Sequence, residues 1–279
     1  MKLSVIVVNH NKCEMLRHTL NSLIDAGKNI DYEIFMVDNF STDKSVEMVK
    51  SEFPDSHVIV NTRNEGGAQS YNEAVNLAKG EYILLVTPDI ISSKKTLERS
   101  LEFMDLHTDS GGLGVRMINP QGRFLPESNR GLTQSWITFF KLTGLAKLFP
   151  KSRLSDRNRK DWVEEFQTSE VDFINGSFML VRKSAFNEVG LFDERFFTYG
   201  HDIDMSYRLR LAGYKNYYFP KTYIIKYSDS SIAKFNWQFI KNFYGAMIIF
   251  AMKYLFKMPE IKVAGIVQPQ LPLIYEIER

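Results

Sequence analysis

Residues 1–110 of this 279-residue chain alternate between short apolar runs and helical patterns, and no other feature restricts the fold as strongly. Apolar runs rich in β-branched residues predict four strands, at Leu3–Val8, Tyr32–Val37, His57–Val60 and Tyr82–Val86. Helical spacing predicts helices at Lys12–Asp25, around Val46 and Val49, and at Ala68–Ala78. Ser41 or Thr42 is the expected N-cap of the second helix. The pattern predicts an α/β fold, with a mostly parallel central sheet flanked by helices.

Polar residues follow these strands at the edge where such a sheet binds its ligands, beyond the carboxyl ends of the strands. Asn9 and Asp38 end the first two runs, and Asp89 follows the fourth run directly after Pro88, which cannot extend a strand. Taken alone, Asp38 either contacts a ligand or caps a turn. Asp89 either binds a metal or a diphosphate, or simply ends a strand. Position alone leaves both alternatives open.

Composition excludes several classes of protein. The 35 basic and 33 acidic residues nearly cancel, which argues against a nucleic-acid partner. Cys13 is the one cysteine, so neither an intrachain disulfide nor a cysteine-based zinc site can form, and a cytoplasmic setting is expected. The longest uncharged apolar run, Phe243–Met252, has ten residues. A membrane span needs about 20, so we expect no segment to cross a bilayer.

The second half of the chain is less regular. From Gly131 to Trp162 turn signals are sparse, and this stretch is expected to be variable and partly helical. Regular structure is predicted again at Val171–Val181, near Ser184–Val189 and at Phe235–Phe256. We expect one domain over residues 1–256, with halves at 1–110 and 111–256, a variable insert at 125–168 and a tail at 257–279.

Two carboxylates lie two residues apart in the segment Tyr199–Arg208. Asp202 and Asp204 would face the same way in a strand and diverge in a helix. One interpretation is an exposed helix start that one of them caps. Arg208 follows Asp204 by one helical turn, so a local ion pair between these two is expected.

Seven segments carry a resemblance to a known family, through their order and spacing as well as their residues: Ser4–Asn11, Val37–Ser45, Asn64–Asn72, Gly80–Asp89, Asn175–Arg182, Val189–Phe197 and His201–Arg208. Together they resemble family-2 inverting glycosyltransferases of the GT-A fold, especially rhamnosyltransferase-like members from bacterial surface-polysaccharide pathways. The resemblance implies a Rossmann-like nucleotide-sugar half and an acceptor half. It also implies transfer of a sugar from a dTDP-rhamnose or UDP-hexose type of donor to a hydroxyl of a glycan or lipid-linked glycan.

The resemblance also implies roles for individual residues. Asp202 would be the base that deprotonates the acceptor, and Asp89 would hold a Mg²⁺ or Mn²⁺ ion at the diphosphate. The nucleotide and donor sugar would contact Asn9, Asn11, Asp38, Arg63, Asn64, Gly66, Asn72 and Thr87. The diphosphate or the acceptor would lie near Gly176, Ser177, His201 and Lys226. For Arg63, a phosphate contact and a solvated surface position both remain open.

The sequence departs from the family pattern at four positions. His201 stands where a Glu is usual, Thr87 where the first acid of the metal motif is usual, Lys226 where a His is usual and Gly67 where an aromatic is expected. A charged lysine cannot bind a metal, but its ammonium group can neutralise a diphosphate. The alternative is that Lys226 is a solvent-exposed strand end. These departures support a second hypothesis, a catalytically impaired GT-A protein that binds a glycan or nucleotide sugar.

Two aromatic segments raise the question of a membrane or a second subunit. Trp136–Phe149 is either core or an interfacial helix, whose basic residues would face anionic headgroups at the inner face of the cell membrane. Those basic residues are Lys141, Lys147, Lys151 and Arg153. Phe235–Phe256 is expected to pack in the core or in a homodimer. Peripheral membrane contact and a homodimer therefore both remain open.

Overall fold

A computed structural model describes residues 1–148, 165–227 and 237–255 of the chain. Its strands are β1 (Leu3–Asn9), β2 (Tyr32–Asp38), β3 (His57–Val60), β4 (Tyr82–Val86), β5 (Ile90–Ser92), β6 (Ser110–Ile118), β7 (Ser169–Val171), β8 (Phe178–Arg182) and β9 (Lys215–Lys226). Its helices are α1 (Cys13–Gly27), α2 (Ser45–Glu52), α3 (Gly67–Leu77), α4 (Thr96–Leu106), α5 (Glu127–Arg130), α6 (Gln134–Thr143), α7 (Lys183–Val189), α8 (His201–Leu211) and α9 (Trp237–Tyr254), with a 3₁₀ turn at Leu145–Leu148.

All these strands join one sheet in the order β3-β2-β1-β4-β8-β6-β9-β5, and β7 pairs with β9. The predicted α/β fold with a central sheet between helices is confirmed. The sheet is mixed rather than mostly parallel, since four of its strand pairs are parallel and four antiparallel. Strand β8 is antiparallel to β4, with Phe178 opposite Val86. The residues before β8 therefore lie at the carboxyl end of β4, on the edge where ligands were expected.

The registers align the polar strand ends predicted from the sequence. Strands β1 and β2 are parallel, and Asn9 lies opposite Asp38 at their common carboxyl end. On the other side of β1, Val7 lies opposite Val86, the last residue of β4. The loops that follow β1, β2 and β4 consequently emerge side by side.

Two hydrophobic cores cover the two faces of the sheet. Alternate side chains of β1 point to opposite faces, so Val5 and Val7 pack in the first core and Ile6 packs in the second. The first core packs under α1, α2 and α4, and the second under α3, α7 and α8. Burial on both faces explains why the strands appear in the sequence as unbroken apolar runs.

A third core joins α6, α8 and α9. Trp136 and Phe140 of α6 are buried and contact Phe250 of α9. The core interpretation of the segment around Trp136 therefore holds for these two side chains, while Lys141 and Leu142 are exposed. Residues 149–164, which include Lys151 and Arg153, lie outside the described part, as do the side chain of Lys147 and residues 256–279.

Two local predictions need correction. Helix α2 begins at Ser45, whose backbone N–H donates to Asp43 Oδ1 at 3.0 Å, so neither Ser41 nor Thr42 caps it. The segment 171–181 contains the end of β7 and the start of β8, with a loop between them. Helix α9 runs from Trp237 to Tyr254, inside the predicted range Phe235–Phe256, whose outermost residues 235, 236 and 256 lie outside the described part. Within residues 1–148, 165–227 and 237–255, no helix combines the length and apolar character that crossing a membrane requires.

Candidate active site

Asp38 is buried at the carboxyl end of β2, with 1% of its surface exposed. Its Oδ1 accepts a hydrogen bond from Asn9 Nδ2 at 3.3 Å, and its Oδ2 accepts one from the backbone N–H of Ser41 at 2.8 Å. Through the hydrogen bond from Ser41, Asp38 caps the turn, which is one of the two roles that the sequence left open. Asp38 thus shapes the loop after β2, whether or not it also contacts a ligand.

Asparagine side chains tie the neighbouring loops together. Asn11 has a positive φ of 52°, and its Oδ1 accepts a hydrogen bond from Thr42 N at 2.7 Å. Asn39 donates through Nδ2 to Asn64 Oδ1 at 2.9 Å, while its Oδ1 accepts from Glu65 N at 2.8 Å. Sequence reasoning missed Asn39, although it follows the strand-ending Asp38 directly. The loops after β1, β2 and β3 therefore form one connected edge.

The start of α3 is joined to the segment before α8. Gly66 has a φ of 83°, and a Cβ there would lie 2.6 Å from the carbonyl oxygen of Phe197, so this position requires glycine. Gly67 N donates to the same oxygen at 2.6 Å. Asn72 is buried, donates to Phe192 O and accepts from Phe192 N, both at 2.9 Å. Asn72 therefore ties α3 to the segment before α8, through both atoms of its side-chain amide.

Two loop residues at this edge are exposed. Arg63 has 77% of its side chain exposed and pairs with Glu65 at 2.5 Å, which supports the solvated interpretation. Phe40 is 48% exposed and has a φ of 66°, in the left-handed region that side chains other than glycine rarely adopt. An exposed ring in a strained loop two residues after Asp38 is a candidate for contact with a planar ligand.

Asp89 is nearly buried and lies among three hydroxyl and ammonium groups. Thr87 Oγ1 donates to Asp89 Oδ1 at 2.5 Å. Lys226 Nζ lies 3.5 Å from Oδ1, and Lys12 Nζ lies 3.5 Å from Oδ2. Lys226 Nζ also donates to Ser177 Oγ at 2.6 Å, so it is not a solvent-exposed strand end. Sequence reasoning missed Lys12, which carries no motif signal of its own.

Asp202 lies in the first turn of α8 and is half-buried. Its Oδ2 accepts a hydrogen bond from Gly176 N and its Oδ1 accepts one from Ile203 N, both at 2.9 Å. A Cβ on Gly176 would lie 3.1 Å from Oδ2, so the loop approaches the carboxylate closely. Both oxygens are oriented by backbone amides, which holds the carboxylate in one position at the sheet edge.

Asp204 is fully buried, which overturns the interpretation of an exposed helix start for this residue. The expected ion pair with Arg208 is present, with Nε 2.8 Å from Asp204 Oδ2. Lys253 Nζ at 2.8 Å and Tyr254 Oη at 2.6 Å donate to its other oxygen. Burial alone would raise the pKa of Asp204, but the charges of Lys253 and Arg208 outweigh it and hold the pKa below its usual value. Asp204 is therefore ionised and ties α8 to α9.

The His201 ring packs between Tyr71 and Phe192, with centroid distances of 5.6 and 5.7 Å. Its Nδ1 is buried and has no hydrogen-bond partner among the described residues. Burial lowers the pKa of His201 against the opposing charges of Asp202 and Asp204, so the ring is neutral at pH 7. An uncharged aromatic stands here where the resemblance implied a carboxylate.

Comparison with known families decides the assignment. The model of Glycosyl transferase family 2 matches residues 4–190, well over half of the chain, including the loops after β1, β2, β3 and β4. The chain belongs to this family. A second model, Glycosyl transferase family group 2, matches residues 116–269.

Two relatives of this glycosyltransferase are named bacterial sugar transferases. It is 24% identical over 243 residues to the N-acetylglucosaminyl-diphospho-decaprenol L-rhamnosyltransferase of Mycobacterium tuberculosis, an alignment that covers 83% of this chain and 78% of the relative. It is 33% identical over 169 residues to the poly(ribitol-phosphate) beta-glucosyltransferase of Bacillus spizizenii, covering 56% of this chain and 26% of the relative.

Solved glycosyltransferase structures confirm the GT-A fold. S. aureus TarS superposes with a TM-score of 0.61 at 23% identity, covering 91% of this glycosyltransferase and 39% of TarS. A mannosyltransferase from Pyrobaculum calidifontis, in complex with GDP-Man and Mn²⁺, gives a TM-score of 0.61 at 15% identity, covering 93% of this chain and 65% of that one.

The surroundings of Asp89 do not fit the divalent cation that the family resemblance implies. Asp89 brings one carboxylate, and each of its oxygens faces an ammonium group, from Lys12 or from Lys226. In the part of this glycosyltransferase that the structure describes, no three His, Cys, Asp or Glu side chains cluster as metal ligands. Mg²⁺ and Mn²⁺ bind through several oxygen ligands, so this arrangement is not a preformed site for either ion.

Proposed function

We propose that this glycosyltransferase transfers a sugar with inversion from a nucleotide-diphosphate donor to a hydroxyl of a glycan or lipid-linked glycan, with Asp202 as the base. One observation carries the proposal. Gly176 N contacts the Asp202 carboxylate at 2.9 Å, and the next residue, Ser177, contacts Lys226 beside Asp89 at 2.6 Å. Two consecutive residues thus link an anionic and a cationic group at one edge of the sheet.

The electrostatics of Tyr71 support a single site. Its buried hydroxyl has a raised pKa because of burial and of the negative charges of Asp202 and Asp89. Both carboxylates therefore lie within electrostatic range of the same side chain. A donor at this edge would have its diphosphate near Lys226 and its sugar towards Asp202.

Inverting transfer needs both a base, here the Asp202 carboxylate, and positive charge near the diphosphate, here Lys226. The acceptor oxygen forms a bond to the anomeric carbon as the bond from that carbon to the diphosphate breaks. The acceptor proton passes to Asp202, and the electron pair leaves with the nucleoside diphosphate. Positive charge near the diphosphate stabilises the leaving group. Asp202 is suited to its role because backbone amides already orient both of its oxygens.

The relatives indicate the classes of donor and acceptor. The Mycobacterium tuberculosis relative is named for rhamnosyl transfer to a lipid-linked N-acetylglucosamine, and TarS has been solved with UDP and with UDP-GlcNAc. We therefore propose a dTDP-rhamnose or UDP-hexose type of donor and a lipid-linked or polymeric glycan acceptor. The nucleotide would lie against the connected edge formed by Asn9, Asn11, Asp38, Asn64 and Gly66.

The cation and the location of the protein remain part of the proposal. Mg²⁺ or Mn²⁺ would bind mainly through the phosphate oxygens of the nucleotide, because one carboxylate flanked by two ammonium groups does not hold such an ion. A cytoplasmic protein at the inner face of the cell membrane would meet a lipid-linked acceptor. The exposed Lys141 and Leu142 on α6 are the described residues that support such a contact.

Release of nucleoside diphosphate from dTDP-, UDP- and GDP-sugars, with glycan and lipid-linked acceptors, tests the function. Asp202→Asn should keep donor binding and lose about 10²–10⁴-fold in turnover, the usual share of a general base. Asp55→Asn, an exposed carboxylate outside the site, is the matched control. Asp202→Asn with turnover within a few-fold of wild type contradicts the assignment of the base. Wild-type protein that binds donors without turning them over supports the impaired, binding-only alternative.

A further inference from the structure

Two lysines from opposite ends of the sequence flank one carboxylate. Lys12 Nζ lies 3.5 Å from Asp89 Oδ2, and Lys226 Nζ lies 3.5 Å from Asp89 Oδ1. Both side chains are mostly buried, with 26% and 22% of their surface exposed. Because two ammonium groups share one carboxylate, the group of three carries a net positive charge.

Contacts with strand β5 place the elements that carry the two lysines. Lys12 directly precedes α1, and α1 is anchored to β5 by a hydrogen bond from Thr19 Oγ1 to Ile90 O at 2.8 Å. Lys226 ends β9, where it lies opposite Ile90 in the antiparallel register. Since Ile90 follows Asp89, the same short strand fixes both lysines beside that carboxylate.

Neither lysine forms a close ion pair with Asp89. Charge-assisted hydrogen bonds between an ammonium and a carboxylate are about 2.7–2.9 Å long, whereas both lysines stand at 3.5 Å from Asp89. Asp89 Oδ1 also accepts the shorter hydrogen bond from Thr87. An entering diphosphate, with more negative charge than one carboxylate, would compete effectively for both ammonium groups.

We propose that Lys12 and Lys226 bind the donor diphosphate directly, and that Asp89 is a positioning residue for these lysines rather than a metal ligand. This inference rests on the proposed function and names the groups that stabilise its leaving group. As the bond from the anomeric carbon to the diphosphate breaks, the electron pair stays on the β-phosphate oxygen. The two ammonium groups stabilise that charge without transferring a proton.

Nucleotide affinity measured by calorimetry tests the inference without any turnover. The probe is UDP or dTDP, whichever binds the wild type more tightly, with the matching monophosphate for comparison and with either EDTA or Mn²⁺ present. Lys12→Gln and Lys226→Gln should each weaken diphosphate binding about tenfold or more in EDTA, as expected for a lost hydrogen bond between charged groups. Binding of the monophosphate, which lacks the β-phosphate, should change less than about threefold. Lys94→Gln, an exposed lysine elsewhere, is the matched control.

Asp89→Asn separates the two roles of this carboxylate by the sign of its effect. If Asp89 positions the lysines, the amide of Asp89→Asn keeps an oxygen that accepts hydrogen bonds from them, so the lysines stay in place. Diphosphate binding is then kept or improved, because the local positive charge rises. If Asp89 holds a metal, the variant loses binding. The double variant Lys12→Gln with Asp89→Asn removes both charges of one ion pair, so its stability should equal that of the wild type. If this stable double variant still binds the diphosphate weakly, misfolding is excluded as the cause of the weak binding.

Overturning results are equally specific. Diphosphate binding that requires Mn²⁺, disappears in Asp89→Asn and is unchanged in both lysine variants contradicts the inference and leaves the proposed function standing. Wild-type protein that binds neither UDP, dTDP nor GDP in any condition contradicts the proposed function itself.

Discussion

Lys253 of α9 donates to Asp204 at 2.8 Å, across 49 residues of sequence, and Asp204 lies two residues after the proposed base Asp202. The same Nζ donates to Asp193 at 2.9 Å, in the segment that leads into α8. A helix far along the chain thus holds the helix that carries the base. Helix α9 is therefore part of the support of the candidate active site.

Removal of this contact should destabilise the protein. Lys253→Gln leaves the buried carboxylate of Asp204 and the partly buried carboxylate of Asp193 with fewer cations. Breaking a buried ion pair usually lowers the free energy of unfolding by about 3 kcal/mol or more. We expect a smaller decrease here, because Arg208 and Tyr254 still contact Asp204. Lys241→Gln, an exposed lysine on the same helix, should change the free energy of unfolding by less than about 0.5 kcal/mol. Denaturant unfolding at pH 7.5 measures both, and equal stability of the two variants would contradict the role of Lys253.

Stability should fall as the pH drops below neutral because of His201. Its folded pKa is below the ordinary value, so on acidification the unfolded chain takes up this proton first. The stabilisation is fully present above about pH 6.5, the usual histidine pKa, and is lost as the pH falls towards the folded pKa. Melting temperatures between pH 7.5 and 5 should decline in the wild type and decline less in His201→Gln. Parallel curves would show that His201 is not the titrating group.

A second loss of stability is expected in more acidic solution. The folded pKa of Asp204 is below its ordinary value, so its contribution is present above about pH 4, the usual aspartate pKa, and disappears below it. Asp204→Asn should remove this step and lower the stability at pH 7. If the melting temperature falls equally in Asp204→Asn and in wild type as the pH drops below about 4, the ion pairs of Asp204 do not drive acid unfolding.

Asp38→Ala should weaken nucleotide binding and also cost stability. The variant removes the acceptor of the Ser41 N–H and one of the two acceptors of the buried Asn9 Nδ2, whose other partner is Ser41 Oγ. Such a loss costs about 1–3 kcal/mol. Asp38→Asn keeps one acceptor oxygen and should unfold less readily than Asp38→Ala. Dissociation constants for UDP and dTDP, measured beside denaturant curves, separate the two effects. Unchanged dissociation constants in both variants would limit Asp38 to shaping the loop.

Phe40 is expected to stack on the nucleotide base. Its ring is exposed, so Phe40→Ala should leave the free energy of unfolding nearly unchanged while it weakens UDP or dTDP binding about tenfold, since stacking of a base on an aromatic ring contributes about 1–3 kcal/mol. Leu106→Ala, an exposed apolar residue at the end of α4, should not affect binding. Equal affinities of Phe40→Ala and Leu106→Ala would contradict the stacking role.

Local patterns in the sequence determined the first half of the fold. The predicted strands at Leu3–Val8 and Tyr32–Val37 end within one residue of β1 and β2, and the helix at Lys12–Asp25 agrees with α1 to within two residues. These elements follow from apolar runs and turn residues that act over a few positions. The order of the strands then placed Asn9 and Asp38 at one edge, because parallel strands align their carboxyl ends.

Helix α8 shows where local patterns were insufficient. Ile203 and Tyr207 pack in the third core, while Met205 and Leu209 pack in the second. A helix buried on opposite sides has no single apolar face, so helical periodicity does not reveal it. The sequence alone therefore left Asp202 and Asp204 undecided between a strand and a helix.

Tertiary structure alone decided which of the candidate site residues contact one another. Strand β8 runs antiparallel to β4, which brings Gly176 and Ser177 to the edge where β4 ends. Lys12 reaches Asp89, and Lys253 reaches Asp204, from elements distant in sequence. Such contacts depend on strand register and helix packing, which are set by the summed burial of whole elements. No single residue or spacing in the sequence carries that information.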